Sequence, residues 1–193
     1  MYSGQYAIAN PDRPAFIMAG SGIAVSYAEF EARSNKLAHF LRDQGLGFQD
    51  HYAIFMENNE RYMESCSAGE RAGLYYTCIN SYLTGDELAY IVNNSESKVL
   101  ITSKAKIDVV ADALSSCPNI EVVLVTDAAD TDLPQLMTDY ASAILEYPAT
   151  PLADETLGTS MLYSSGTTGQ PKGIIRPLPV QAPQDPLPMY SFL

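Results

Sequence analysis

Residues 163–174 read Tyr-Ser-Ser-Gly-Thr-Thr-Gly-Gln-Pro-Lys-Gly-Ile and follow directly on the run Ser160, Met161, Leu162. Gly166, Gly169 and Gly173 carry no Cβ, so the backbone there is free to take positive φ and to turn its N–H groups inward around an anion. Ser164, Ser165, Thr167 and Thr168 add hydroxyl donors, and Lys172 adds a mobile cation suited to a polyphosphate whose charge must be neutralised during transfer. Pro171 restricts the freedom of the loop. Serine, threonine and glycine are also what flexible linkers are made of, so composition alone leaves both readings open. Spacing narrows the choice. The common nucleoside-triphosphatase loop, G-x-x-x-x-G-K-[ST], needs glycine and lysine adjacent, whereas Gln170 and Pro171 separate Gly169 from Lys172. Nor does the string follow the three-glycine dinucleotide fingerprint.

The elements around such a loop must hold it rigidly. Ala15 to Met18 and Ile23 to Tyr27, split by Gly20, Ser21 and Gly22, predict a β-hairpin. Ser26 and Glu29 form a capping box for a helix whose buried face is Phe30, Ser34, Leu37, Ala38 and Leu41, stopped by Gly45. His51 to Met56 predicts a strand, Asn59 to Ala72 a helix ended by Gly73, and Tyr75 to Ile79 a strand. Thr84 and Glu87 cap a helix with Leu88, Ile91 and Val92 on one face, before the strand run Lys98 to Thr102. Ile107, Val110, Ala111 and Leu114 mark another amphipathic helix, and Val122 to Val125 is a β-branched run of the kind parallel sheets bury on both faces. The alternation predicts an α/β fold, a layered βαβ subdomain with a mainly parallel sheet. Residues 127–157 read as a connecting segment with a short helix near Leu133 to Leu145. The stretch from Pro177 to Pro188, with Pro179, Pro183 and Pro186 between, reads as extended or disordered. The domain organisation expected is therefore residues 1–175 as one partial amino-terminal domain and 176–193 as a proline-rich tail. No covering element follows the last strand, as in a domain cut short.

Composition removes several classes of function. The chain has 193 residues, enough to bury about 70% of its unfolded surface in one core. A net charge of −12 opposes non-specific binding to nucleic acid or anionic lipid, both polyanions. Cys66, Cys78 and Cys117 are odd in number and lie inside apolar runs, which suits buried free thiols in a reducing, cytoplasmic setting better than a disulfide framework. His39 and His51 lie near no cysteine, so a zinc site is not expected. No window is long and apolar enough for a spanning helix, which predicts a soluble chain. Tyr75, Tyr76 and Tyr82 read as packing residues rather than a binding stripe, and Arg176 as a solvated arginine.

The string YSSGTTGQPKG resembles the signature loop of the adenylate-forming superfamily, which contains acyl-CoA synthetases, peptide-synthetase adenylation domains and luciferases. Upstream, VSYAEFEARSNKLAHFLRDQGLG and AGERAGLYYTCINSYLTGDELAYIVNNSESKVLIT are similar to that family, and the resemblance spans most of residues 10–175. GLYYTCINSYLTGDELAYI and KGIIRPLP resemble the fatty-acyl-CoA ligase branch in particular. The resemblance implies the first subdomain of the large domain of such a ligase. Its partners would be a carboxylic acid, ATP and coenzyme A, with magnesium as cofactor. It further implies that Ser164, Ser165, Gly166, Thr167, Thr168, Gly169, Lys172 and Gly173 hold the β- and γ-phosphates of ATP and that Ser164 contacts magnesium. The family's adenine, ribose and acidic magnesium-binding segments, its hinge and its catalytic lysine match no stretch of this sequence. No catalytic residue is therefore assignable, the chain is expected to be inactive alone, and exposed apolar surface is expected to make it self-associate. A non-catalytic interaction or dimerisation module on the same sheet is the competing reading.

Overall fold

The computed structural model describes residues 2–164 and 170–185. The chain begins with α1 (Gly4–Ala9), then the antiparallel hairpin β1 (Pro14–Ile17) and β2 (Ala24–Ser26), then α2 (Tyr27–Asp43). The cap of α2 is the one its sequence demands. The Ser26 hydroxyl accepts from the Glu29 N–H at 3.2 Å, and the Ser26 N–H donates back to Glu29 Oε2 at 3.0 Å. Gly45 follows at a φ of 80°, a left-handed turn that side-chain-bearing residues resist.

Strands and helices then alternate: β3 (His51–Phe55), α3 (Tyr62–Ala72), β4 (Tyr75–Cys78), α4 (Gly85–Asn94), β5 (Val99–Ser103), α5 (Ile107–Leu114) and β6 (Val122–Thr126). At the start of α4 the Thr84 N–H donates to Glu87 Oε2 at 2.9 Å, as expected of the second capping box. The remaining elements are β7 (Met137–Asp139), α6 (Tyr140–Ile144), β8 (Thr159–Ser160), β9 (Leu162–Ser164) and β10 (Lys172–Ile174). Six strands form one sheet in the order β7-β6-β5-β3-β4-β8, and every pairing in it is parallel.

The period of two along these strands sends alternate residues into two cores. Tyr52, Ile54, Val99, Ile101 and Leu124 face Leu37, Leu41, Ala68 and Ile144 of α2, α3 and α6. Ala53, Phe55, Leu100, Val123 and Val125 face Leu88, Ile91, Val92 and Val110 of α4 and α5. The result is a three-layer α/β fold. Both faces of the central strands are dry, which explains why β5 and β6 read as unbroken apolar runs rather than alternating ones.

A polar knot ties the start of the chain to α2 and α3. Arg71, almost wholly buried, pairs with Glu31 at 2.7 Å and with Glu155 at 3.6 Å, and also bonds Ser3 and Asn35. Burial lifts the pKa of Glu31, but the Arg71 guanidinium together with the Ser3 and Asn35 hydrogen bonds outweighs this and holds the carboxyl below its ordinary range.

Several local expectations need correction. Residues 127–157 contribute an edge strand, β7, because Met137 to Asp139 pair in register with Val123 to Val125, and the helix is confined to Tyr140–Ile144. Ala111 is exposed, and Val110 and Ala113 form the buried face of α5. Tyr75 and Tyr76 are buried, but Tyr82 is 91% exposed in the turn before α4, with Lys106 Nζ 5.7 Å from its ring centroid. Cys117 is buried as expected, whereas Cys78 is exposed. β8 pairs with Tyr75 and Tyr76, and among the described residues no strand pairs with the Cys78 end of β4 on that edge. Among the described residues no helix is long and apolar enough to cross a membrane.

Candidate phosphate-binding site

Ser164 and Lys172 lie directly opposite each other. The run Ser160 to Leu162 divides into two strands: β8 extends the parallel sheet, Met161 turns inward, and β9 leaves the sheet to pair antiparallel with β10. The register is Ser164 to Lys172, Tyr163 to Gly173 and Leu162 to Ile174. Residues 165–171 therefore connect the two strands of a hairpin whose mouth is framed by a serine and a lysine. Directly opposed side chains in an antiparallel pair have Cβ atoms about 4.5–5.5 Å apart, so the hydroxyl and the ammonium share one face. Both residues are exposed, and Lys172 makes no ion pair among the described residues. Ser165, Gly166, Thr167, Thr168 and Gly169 lie outside the described residues.

Three hydrogen bonds and an apolar cluster hold the hairpin and its flanks to the body of the fold. The Tyr90 hydroxyl of α4 donates to the Pro171 carbonyl at 3.0 Å. The Tyr163 hydroxyl donates to Asn94 Oδ1 at 2.7 Å, one helical turn from Tyr90. Burial, with Tyr90 adding to it, pushes the Tyr163 phenol up to about 12, so it remains a neutral donor. On the other side, the Tyr75 hydroxyl donates to the Arg176 carbonyl at 2.6 Å, and Met161, Tyr75 and Leu178 form a small apolar cluster. Tyr90 and Asn94 escaped the sequence reading, although their i, i+4 spacing on a capped helix was the available signal. Gly158 escaped it too. A Cβ there would stand 2.1 Å from the Gly69 carbonyl oxygen and 2.5 Å from that of Leu74, so only glycine lets the chain enter β8 alongside α3 and β4.

Gly173 is also held to glycine by packing. It lies within β10 without a positive φ, and a Cβ on it would lie 2.4 Å from Met161 Cε and 3.2 Å from Tyr163 Cζ. Its missing side chain makes room for Met161 and Tyr163. Arg176 is exposed and lines a cavity of about 540 Å³ between α1, α3 and the segment 176–185. Neither Ser164 nor Lys172 lines that cavity, and its other cation, Arg71, is already committed to Glu31 and Glu155. The hairpin mouth, by contrast, carries a cation with no ion-pair partner among the described residues. Among the described residues no three His, Cys, Asp or Glu side chains gather as a metal site, and the Ser164 hydroxyl is an exposed oxygen at the hairpin mouth. Such a set fits magnesium only when phosphate oxygens and water complete the shell.

The described part of the site is thus a strand of the parallel sheet that leads into a β9–β10 hairpin with Ser164 and Lys172 exposed and opposed. The chain belongs to the AMP-binding enzyme family, which matches residues 5–177. It is 34% identical over 169 residues to 3-oxocholest-4-en-26-oate–CoA ligase of Rhodococcus rhodochrous, covering 86% of this chain and 30% of that protein. It is 30% identical over 155 residues to a medium-chain-fatty-acid–CoA ligase of Ectopseudomonas oleovorans, covering 77% of this chain and 28% of that protein. The chain thus spans about a third or less of the length of these relatives. The fold matches the anthranilate CoA ligase AuaEII in complex with anthranoyl-AMP, with a TM-score of 0.74 at 20% identity, over 90% of this chain and 34% of that one. A long-chain-fatty-acid CoA ligase from Rhodopseudomonas palustris matches with a TM-score of 0.72 at 21% identity, over 89% of this chain and 42% of the other.

Proposed function

We propose that this chain supplies the ATP-phosphate-binding end of an acid–thiol ligase. In the reaction, a carboxylate oxygen attacks the α-phosphorus of ATP and pyrophosphate leaves. The thiol of coenzyme A then attacks the acyl carbonyl and AMP leaves. The observation that carries the reading is the opposition of Ser164 and Lys172 across the β9–β10 hairpin, beyond the end of a parallel strand. Membership of the AMP-binding enzyme family supports it, and the names of the relatives favour a fatty or similarly apolar acid.

In this reading Ser164, Ser165, Gly166, Thr167, Thr168, Gly169, Lys172 and Gly173 serve the β- and γ-phosphates. Lys172 supplies the cation, Ser164 and its neighbours supply hydroxyl and backbone donors, and Tyr90 and Asn94 steady the hairpin from α4. Magnesium, carried on the phosphates and touched by the Ser164 hydroxyl, would neutralise charge on the leaving pyrophosphate.

Holding carboxylate and α-phosphate in line is worth about 7–11 kcal/mol of barrier, and a phosphate clamp alone provides none of that alignment. The 193-residue chain is therefore expected to show no acid-dependent ATP–pyrophosphate exchange. A longer protein containing it should exchange and should lose at least about a hundredfold in rate with Lys172→Ala. Exchange by the short chain with a fatty acid, or a longer protein indifferent to Lys172→Ala, would overturn the assignment.

A further inference from the structure

We propose that Cys66 and Cys78 form a reversible dithiol pair that a peroxide closes to a disulfide between α3 and β4. Their Sγ atoms stand 3.8 Å apart, bridging the middle of the helix and the last residue of the strand. A disulfide needs a separation of about 2.05 Å, so closure requires the two sulfurs, already in contact, to approach further. The pair is unequal in access: Cys78 is exposed, while Cys66 is partly buried against the core beneath α3. One accessible sulfur with a sheltered partner in contact is the arrangement of an attacking thiol and a resolving thiol.

The surroundings support the same division of labour. Either sulfur of the Cys66–Cys78 contact can be the donor, and Tyr62 stands one turn before Cys66 on α3. Donation from Cys66, with Tyr62 adding to it, lowers the Cys78 thiol below its ordinary value against the opposing effect of burial and the nearby Glu70 carboxylate. The same contact pushes Cys66 upward and keeps it a protonated donor. The third cysteine does not compete. Cys117 is buried in the opposite core layer, on the α4–α5 side of the sheet. Two thiols packed merely as small apolar groups would not need one of them at an exposed strand end.

The chemistry balances in two steps. The Cys78 thiolate attacks one oxygen of hydrogen peroxide, the O–O bond breaks, and with one proton taken up the products are the Cys78 sulfenic acid and water. The Cys66 sulfur then attacks the sulfenic sulfur, the S–O bond breaks, and the hydroxyl leaves as a second water with the Cys66 proton. Two electrons pass from the sulfurs to the peroxide, and an external thiol reverses the change.

The test is to expose the full 193-residue chain to hydrogen peroxide and to measure free thiols, intact mass and disulfide-linked peptides. Wild-type protein should lose two of its three thiols together, with a mass lower by two hydrogen atoms and one cross-link joining residues 66 and 78. Dithiothreitol should restore all three. With Cys66→Ser, Cys78 sulfenic acid should accumulate and be trapped by dimedone, and with Cys78→Ser, Cys66 should stay reduced. Should either variant fold poorly, brief alkylation of the native wild-type chain gives a separate reading: Cys78 should be modified first, and its modification should abolish the cross-link. Independent oxidation of the two cysteines without a link, a link that uses Cys117, or a disulfide only between two chains would overturn the proposal.

Discussion

Glu64 has no exposed surface, and its two arginine neighbours are distant, Arg61 at 3.5 Å and Arg33 at 4.0 Å. Contacts of that length recover less than burial takes away, so burial raises its pKa from 4.5 to about 7. The sign follows from linkage. Below pH 4.5 the group is protonated in both the folded and the unfolded chain, and it costs nothing. As pH rises toward 7 the unfolded chain ionises first, and stability falls by up to about 3 kcal/mol before levelling off. Glu64→Gln should therefore raise the urea midpoint at pH 7.5 and flatten its decline between pH 5 and 7. An unchanged profile would show that the arginines already compensate the charge. At this scale the candidate site was legible only in part. Ser164 and Lys172 stand out by type and spacing, and the structure adds their opposition. Gly173 carries a packing constraint that the string does not reveal, because a glycine in a polar loop and a glycine yielding space to Met161 look alike in one sequence.

The element that decides where the loop begins is β8. It has two residues, pairs with Tyr75 and Tyr76, and reaches them only because residues 156–158 run along the end of α3. The Thr156 N–H donates to the Arg71 carbonyl at 3.2 Å, and that of Gly158 to the Glu70 carbonyl at 2.8 Å. A methyl group at residue 158 meets backbone rather than a flexible side chain, so no rotamer relieves it. Gly158→Ala should cost about 3 kcal/mol in urea unfolding and should increase amide exchange at Met161, whose N–H bonds the Tyr76 carbonyl at 2.9 Å. A loss below about 0.5 kcal/mol would mean that β8 shifts freely. The capped helices α2 and α4 were legible because a hydroxyl and a glutamate at fixed spacing leave few alternatives. Strands β7, β9 and β10 were not. Each has three residues, too few for periodicity; β7 forms only against Val123 to Val125, and β9 and β10 only against each other.

Across the whole molecule, the two-layered core was readable from the alternation of capped helices with β-branched runs, whereas the surface beyond β8 was not. The β9–β10 hairpin stands apart from the six-stranded sheet, and its cross-strand partners Leu162 and Ile174 are 46% and 47% exposed. A two-stranded ribbon with open edges and apolar side chains on its surface tends to pair with another. Self-association through this hairpin should make the mass in light scattering rise with concentration, and Ile174→Lys should restore the monomer. A concentration-independent monomer mass for the wild-type chain would remove that role from the hairpin.

The central claim, that the mouth framed by Ser164 and Lys172 holds the phosphates of ATP, is tested most directly by equilibrium dialysis of the chain against labelled pyrophosphate. The wild-type chain should bind weakly, with a dissociation constant of about 1 mM that rises with salt. Lys172→Ala should weaken binding about tenfold, the loss of about 1.5 kcal/mol expected for one charge-assisted hydrogen bond. Arg176→Ala, which removes a cation outside the hairpin mouth, should bind as the wild type does. Equal binding by the wild-type and Lys172→Ala chains, or a loss confined to Arg176→Ala, would contradict the account and move the anion site to the cavity beside α3.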